Sequence, residues 1–183
     1  MKKDWEFGIK TQMITKEALA KRIKELGEQI TEDLKDEDAP LVVVGLLKGS
    51  IIFMADLVRE IKLPLVMDFM SVSSYGEGFE STREVKILKD LEGSIQGKHV
   101  LIVEDIIDSG ITLRNLYDTL MTREPRSLKL CTLLNKPARK KVDVDVDYVG
   151  FVIEDKFIVG YGIDYDEKYR NLPYIAIVED VED

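Results

Sequence analysis

The sequence predicts an α/β fold: a parallel β-sheet core flanked by helices, with a small hood built from the chain ends. Three observations predict it. Runs at 41–47, 65–72, 99–103 and 128–134 are apolar on both faces, which suits a parallel sheet covered on both sides. Helical spacing at 51–61 and 112–122 alternates with them, as right-handed βαβ crossovers require. The tail from 148 onward has no long helical stretch and is rich in aromatic residues and glycine.

The elements follow in order. Leu19, Ile23, Leu26, Ile30 and Leu34 mark one face of a helix over 16–34. Thr15 is a good N-cap, and Ile14 with Leu19 forms a hydrophobic staple across it. Asp36, Glu37, Asp38 and Pro40 end the helix. The strand over 41–47 runs into GLLKGS at 45–50, a turn that opens the helix over 51–61. After the strand over 65–72, residues 73–84 read SSYGEGFESTRE, a hairpin loop with no apolar periodicity. The strand over 99–103 ends in two carboxylates, Glu104 and Asp105. A turn at Asp108-Ser109-Gly110 then opens a helix at about Ile111. Short strands at 148–153, 157–161 and 174–178 cap one edge of the sheet. No linker divides the chain. We therefore expect one domain over 1–183, with its core at about 16–148 and its hood at about 1–15 and 149–183.

Size and composition agree with a folded domain. A chain of 183 residues and this mass buries about 70% of its surface on folding. Apolar residues make up 45% and charged residues 33%, which excludes a disordered or collagen-like chain. One cysteine, Cys131, excludes an internal disulfide and suits a reducing compartment. One histidine, His99, excludes multi-histidine metal sites and argues against a Ser-His-Asp hydrolase. The net charge of −9 argues against nucleic acid held by bulk electrostatics. It leaves room for an anion in a local pocket, or for one carried in with Mg²⁺. No 18-residue apolar run and no signal peptide are present, so we expect no membrane partner and a cytoplasmic location.

In open α/β sheets ligands bind beyond the carboxyl ends of the strands. The richest strand end is VLIVEDIIDSGITL, residues 100–113. Gly110 permits a backbone shape that other residues resist. Ser109, Gly110, Ile111 and Thr112 stand at a helix N-terminus, a ready phosphate site with two hydroxyl groups added. Three acids lie beside it, as ribose hydroxyls or Mg²⁺ would need. The loop lacks the second glycine and the lysine of a Walker A motif.

This string closely resembles the phosphoribosyl pyrophosphate (PRPP) signature of type I phosphoribosyltransferases. Within that family the chain looks like the hypoxanthine and hypoxanthine-guanine enzymes over about residues 10–180. The resemblance implies the type I phosphoribosyltransferase fold and roles for particular residues. Glu104 and Asp105 would meet the ribose hydroxyls, and Asp108, Ser109, Gly110, Ile111 and Thr112 the 5′-phosphate. Asp108 would also act as general acid/base toward the purine N7. Leu47, Lys48 and Gly49 would bind pyrophosphate, with a non-proline cis peptide at Leu47–Lys48, and Arg170 would join them. Lys136, after the apolar run LKLCTLL, would donate to the purine O6 and so select 6-oxopurines. Phe157 would stack on the base. Ile158 and Asp164 would complete the purine site, Ile158 meeting the base edge through its backbone. Asp164 would be a Mg²⁺ ligand, with Glu104 and Asp105 as further metal-facing acids. Ser74 and Tyr75 would sit on a lid that excludes water.

The resemblance further implies PRPP and a 6-oxopurine as small-molecule partners, and a homodimer or homotetramer. The family often has Pro where Glu154 stands and Gly where Ser50 stands; neither departure removes a functional group. Two competing readings are a PRPP-binding regulator without a base pocket, and a phospho-acceptor signalling domain suggested by LIVED. Lys136, Phe157 and Asp164 argue against the first. The second leaves the Ser-Gly-x-Thr loop unexplained. His99 at a strand entrance and Cys131 inside a strand are expected to be structural, and Trp5 a packing or subunit-contact residue. The mixed-charge run 138–147 is expected to be a solvated loop.

Overall fold

The apolar stripe at the start of the chain forms the helix it predicts. In a computed structural model that describes residues 9–74 and 85–178, α1 spans Lys16–Leu34. The Thr15 hydroxyl accepts a hydrogen bond from the Ala18 amide at 3.1 Å. Leu19, Ile23, Leu26, Ile30 and Leu34 are all buried, and Ile14 and Leu19 join the same cluster. Each such side chain contributes about 1.5–3 kcal/mol of burial.

The main sheet is built from β2 (Leu41–Leu46), β3 (Leu65–Ser74), β4 (Val85–Lys89), β5 (His99–Ile107), β6 (Ser127–Asn135) and β7 (Tyr148–Val152). Its order is β4-β3-β2-β5-β6-β7. All pairings are parallel except β3 with β4. Successive residues of the central strands enter opposite cores. Val43, Leu101 and Val103 pack with α1 and α2 (Ile51–Glu60). Val42, Val44, Val100 and Ile102 pack with α3 (Ile111–Met121). Helices on both faces thus leave no polar side to β2, which is why its sequence does not alternate. Among the described residues, no helix is long and apolar enough to cross a membrane.

A second, antiparallel sheet has the order β1-β9-β8, from β1 (Ile9–Ile14), β8 (Ile158–Val159) and β9 (Ile175–Val178). Ile158, Tyr161, Ile163 and Ile175 join the core beneath α1 and α2, so this sheet is packed onto the main body rather than tethered to it.

Several expectations need correction. The tail strand at 148–153 does not belong to a cap. It is β7, the edge of the main sheet, parallel to β6. The strand expected over 99–103 continues to Ile107. Its partner β6 goes on pairing, Ile106 with Leu134 and Ile107 with Asn135, so Glu104 and Asp105 lie within the strand and not in a loop after it. Strands β1 and β4 have no counterpart in the sequence-based expectation. The run 138–147 is not wholly solvated either. Residues Pro137–Arg139 form a 3₁₀ turn, and Val144 is buried.

Candidate active site

The loops after β2, β5 and β6 meet at the carboxyl ends of the parallel strands. The loop after β5 borders a cavity of about 180 Å³ lined by Glu104, Asp108, Ser109, Gly110 and Thr112, with Leu46 and Leu113 behind them. Gly110 is the N-cap of α3 and takes φ +77°, a left-handed conformation that favours glycine. A β-carbon there would also lie 2.8 Å from the Val142 carbonyl oxygen. The Ser109 carbonyl in turn accepts from the Lys141 and Val142 amides at 2.9 and 3.2 Å. The loop is thereby strapped to the segment after β6.

Glu104 and Asp105 form a carboxylate pair on β5. Glu104 Oε1 accepts from the Asp105 amide at 3.1 Å, and Asp105 Oδ1 from the Ile106 amide at 2.8 Å. Burial, reinforced by the neighbouring Asp105 carboxylate, pushes the Glu104 carboxyl well above its usual range. The other Asp105 oxygen faces Gly49 so closely that any β-carbon at position 49 would overlap it.

The loop after β2 carries the expected pyrophosphate residues. The Leu47–Lys48 peptide is cis. Lys48 is exposed, and its Nζ pairs with Glu167 Oε2 at 3.0 Å. Arg170 pairs with Asp164 at 2.9 Å and with Glu167 at 3.4 Å, and donates to the Gly162 carbonyl at 2.8 Å. The Glu167 amide donates to Asp164 Oδ2 at 2.9 Å. The hydrogen bond from Lys48, followed by that from Arg170, holds the Glu167 carboxyl below its usual range. Glu167 therefore sits between the two cations expected to receive an anion, and it is not among the residues expected from the sequence. The only signal was its place between Asp164 and Arg170.

Lys136 follows β6 and is buried, with its Nζ donating to the Lys156 carbonyl at 2.7 Å. Phe157 is 47% exposed and meets Tyr165 edge-on, with ring centroids 5.3 Å apart. Its open face suits a planar ligand. Ile158 opens β8 and is buried. Arg139, also not singled out from sequence, lies 3.4 Å from Asp108 and 3.7 Å from Asp155. Its position in a mixed-charge run masked it. The strand β3 ends at Ser74, and Tyr75 lies outside the described residues. His99 and Cys131 are buried, with His99 Nδ1 2.6 Å from Ser127 Oγ.

The oxygen donors suit a hard cation. Among the described residues no three His, Cys, Asp or Glu side chains are placed together to cage one. A hard divalent cation bound through one or two carboxylates plus substrate phosphate oxygens needs no such cage. Asp164, beside Arg170, and the Glu104–Asp105 pair are the carboxylates available.

The chain is similar in sequence and fold to known proteins. The profile of the phosphoribosyl transferase domain matches residues 10–166. A hypoxanthine phosphoribosyltransferase of Salmonella typhimurium is 58% identical over 166 residues, covering 91% of this chain and 93% of the relative. A hypoxanthine-guanine phosphoribosyltransferase of Staphylococcus epidermidis is 52% identical over 171 residues, covering 93% and 94%. A crystal structure of a hypoxanthine phosphoribosyltransferase from Staphylococcus aureus superposes with a TM-score of 0.92 at 49% identity, covering 98% of this chain and 96% of that one.

Proposed function

This chain belongs to the phosphoribosyltransferase family and is an enzyme of it, and we propose that it transfers a 5-phosphoribosyl group from PRPP to N9 of hypoxanthine, and of guanine, in purine salvage. The observation that carries this reading is the neighbourhood of Lys136. A buried amine at the end of β6, next to the strand β5 that leads into the phosphate cavity, bonds the carbonyl of Lys156, the residue before the half-exposed Phe157. A lysine donates to an oxo group and cannot accept from an amino group, so this pocket favours 6-oxopurines over adenine.

In this reading the cavity behind Ser109, Gly110, Ile111 and Thr112 takes the 5′-phosphate at the start of α3. Glu104 and Asp105 accept from the ribose hydroxyls and favour positive charge on the ring. Lys48, Gly49 and Arg170 hold the pyrophosphate, and Arg170 brings a fixed guanidinium fork to it. Asp164, with the substrate phosphates, would hold Mg²⁺, which when bound would supply charge neutralisation on the leaving group. N9 attacks C1′ as the bond from C1′ to the pyrophosphate oxygen breaks. Asp108 takes the N7 proton, leaving neutral nucleotide base and free pyrophosphate. Phe157 stacks on the base, and Ile158 meets its edge. One domain, hooded by the β1-β9-β8 sheet, carries out the reaction as a cytoplasmic homodimer or homotetramer.

The test is a Mg²⁺-dependent assay with PRPP and each of hypoxanthine, guanine, xanthine and adenine, followed by ultraviolet absorbance. Conversion of hypoxanthine with adenine inert is the expected result. No turnover of any base, with PRPP still bound, would overturn the reading.

A further inference from the structure

Lys136, Asp155, Arg139 and Asp108 form a chain of alternating charge. Lys136 Nζ lies 3.8 Å from Asp155 Oδ1, Arg139 Nε 3.7 Å from Asp155 Oδ2, and the same Nε 3.4 Å from Asp108 Oδ1. The Asp108 oxygen is buried and accepts no hydrogen bond from the described residues. A buried carboxylate oxygen without a partner is costly, and Arg139 is the cation that faces it. Arg139 and Asp155 are both about half exposed. In such positions ion pairs contribute little stability, so holding the fold together is a poor account of this one.

The backbone gives a second reason. Arg139 ends the 3₁₀ turn that begins one residue after Lys136, and its amide donates to the Lys136 carbonyl at 3.2 Å. Two residues on, Lys141 and Val142 bond to Ser109, next to Asp108. One short strap therefore joins the residue expected to read the purine O6 to the residue expected to face N7. Arg139 is the side chain that bridges the two ends by charge.

We propose that Arg139 is a positioning residue: it orients the Asp108 carboxylate toward the base and, through Asp155, couples it to Lys136. This rests on the transferase reading above. A misplacement of a reacting group by even 1 Å costs up to about a hundredfold in rate, so a half-exposed ion pair that adds little stability is able to govern turnover.

The experiment measures kcat with hypoxanthine and the Kd of PRPP by calorimetry. It uses the full chain with Arg139→Gln, Asp108→Asn and both together. Arg139→Gln is expected to lower kcat about tenfold while the PRPP Kd stays within about twofold. In the Asp108→Asn background the same change is expected to cost less than about twofold, because a residue that acts through Asp108 has nothing left to orient. Unchanged kcat in Arg139→Gln overturns the inference. So does a full tenfold loss repeated in the double variant, or a loss shared equally by kcat and PRPP binding. An unsubstituted protein that turns over no base brings down the transferase reading itself, and this inference with it.

Discussion

Gly162 faces the carbonyl of Gly49 so closely that a β-carbon at position 162 would overlap that oxygen. Gly162 also takes φ +101°, where other residues are strained. The loop after β2 and the loop before Arg170 are thereby fitted to one another through two residues without side chains. Gly162→Ala is expected to push the Lys48–Gly49 segment away. The cost is about 1–3 kcal/mol, a fall in Tm of about 2–12 °C, with weaker pyrophosphate binding. Calorimetry and pyrophosphate titration check both. Unaltered Tm would mean that the loops separate freely.

Asp108→Asn removes the proposed acid/base group and leaves the phosphate cavity lined as before. PRPP binding is expected to persist while kcat falls roughly 10²–10⁴-fold. Near-normal turnover would take Asp108 out of that role.

Lys136→Ala removes a buried amine and with it the donor proposed for the purine oxo group. Hypoxanthine binding is expected to weaken by about 1.5–3 kcal/mol, the usual size of a charged hydrogen bond, and PRPP binding by much less. Equal losses for both ligands would assign Lys136 a structural role through its bond to the Lys156 carbonyl.

Glu104→Gln tests the carboxylate pair. Burial and then Asp105 raise the Glu104 carboxyl in the folded chain, so the folded state holds a proton that the unfolded state releases. Stability relative to a neutral side chain therefore falls as pH rises above the ordinary glutamate range, near pH 4. The Gln variant is expected to melt higher than the parent at pH 7 and level with it below about pH 4, at reduced activity. An identical Tm difference at both pH values would show that the charge on Glu104 does not matter to folding.

Legibility in the sequence followed the physics of each signal. A periodic apolar face is repeated many times, so the spacing from Leu19 to Leu34 located α1, and the doubly apolar runs located β2, β3, β5 and β6. The string from Val100 to Leu113 marked the site because a strand end, three acids, a glycine turn and a helix start coincide within it. Where polar residues interrupt a strand, that signal stops. Glu104 and Asp105 looked like the end of β5, yet the β6 ladder carries the strand on to Ile107. Strand β4, five residues long, is held by its pairing with β3, a partner that its own few residues do not reveal.

By itself, then, the sequence determined the fold class and the family, since these depend on local pattern and on motifs that are contiguous along the chain. Only the tertiary structure decided that Glu167 stands between Lys48 and Arg170, that Arg139 faces Asp108 beside Asp155, and that Gly49 and Gly162 touch. These are contacts between loops that the sheet brings together, Lys48 and Glu167 being 119 residues apart in the chain. A charge–charge or backbone contact of that kind repeats with no period. The same acidic and basic residues read alone are indistinguishable from a solvated surface until the strand order sets which loops are neighbours.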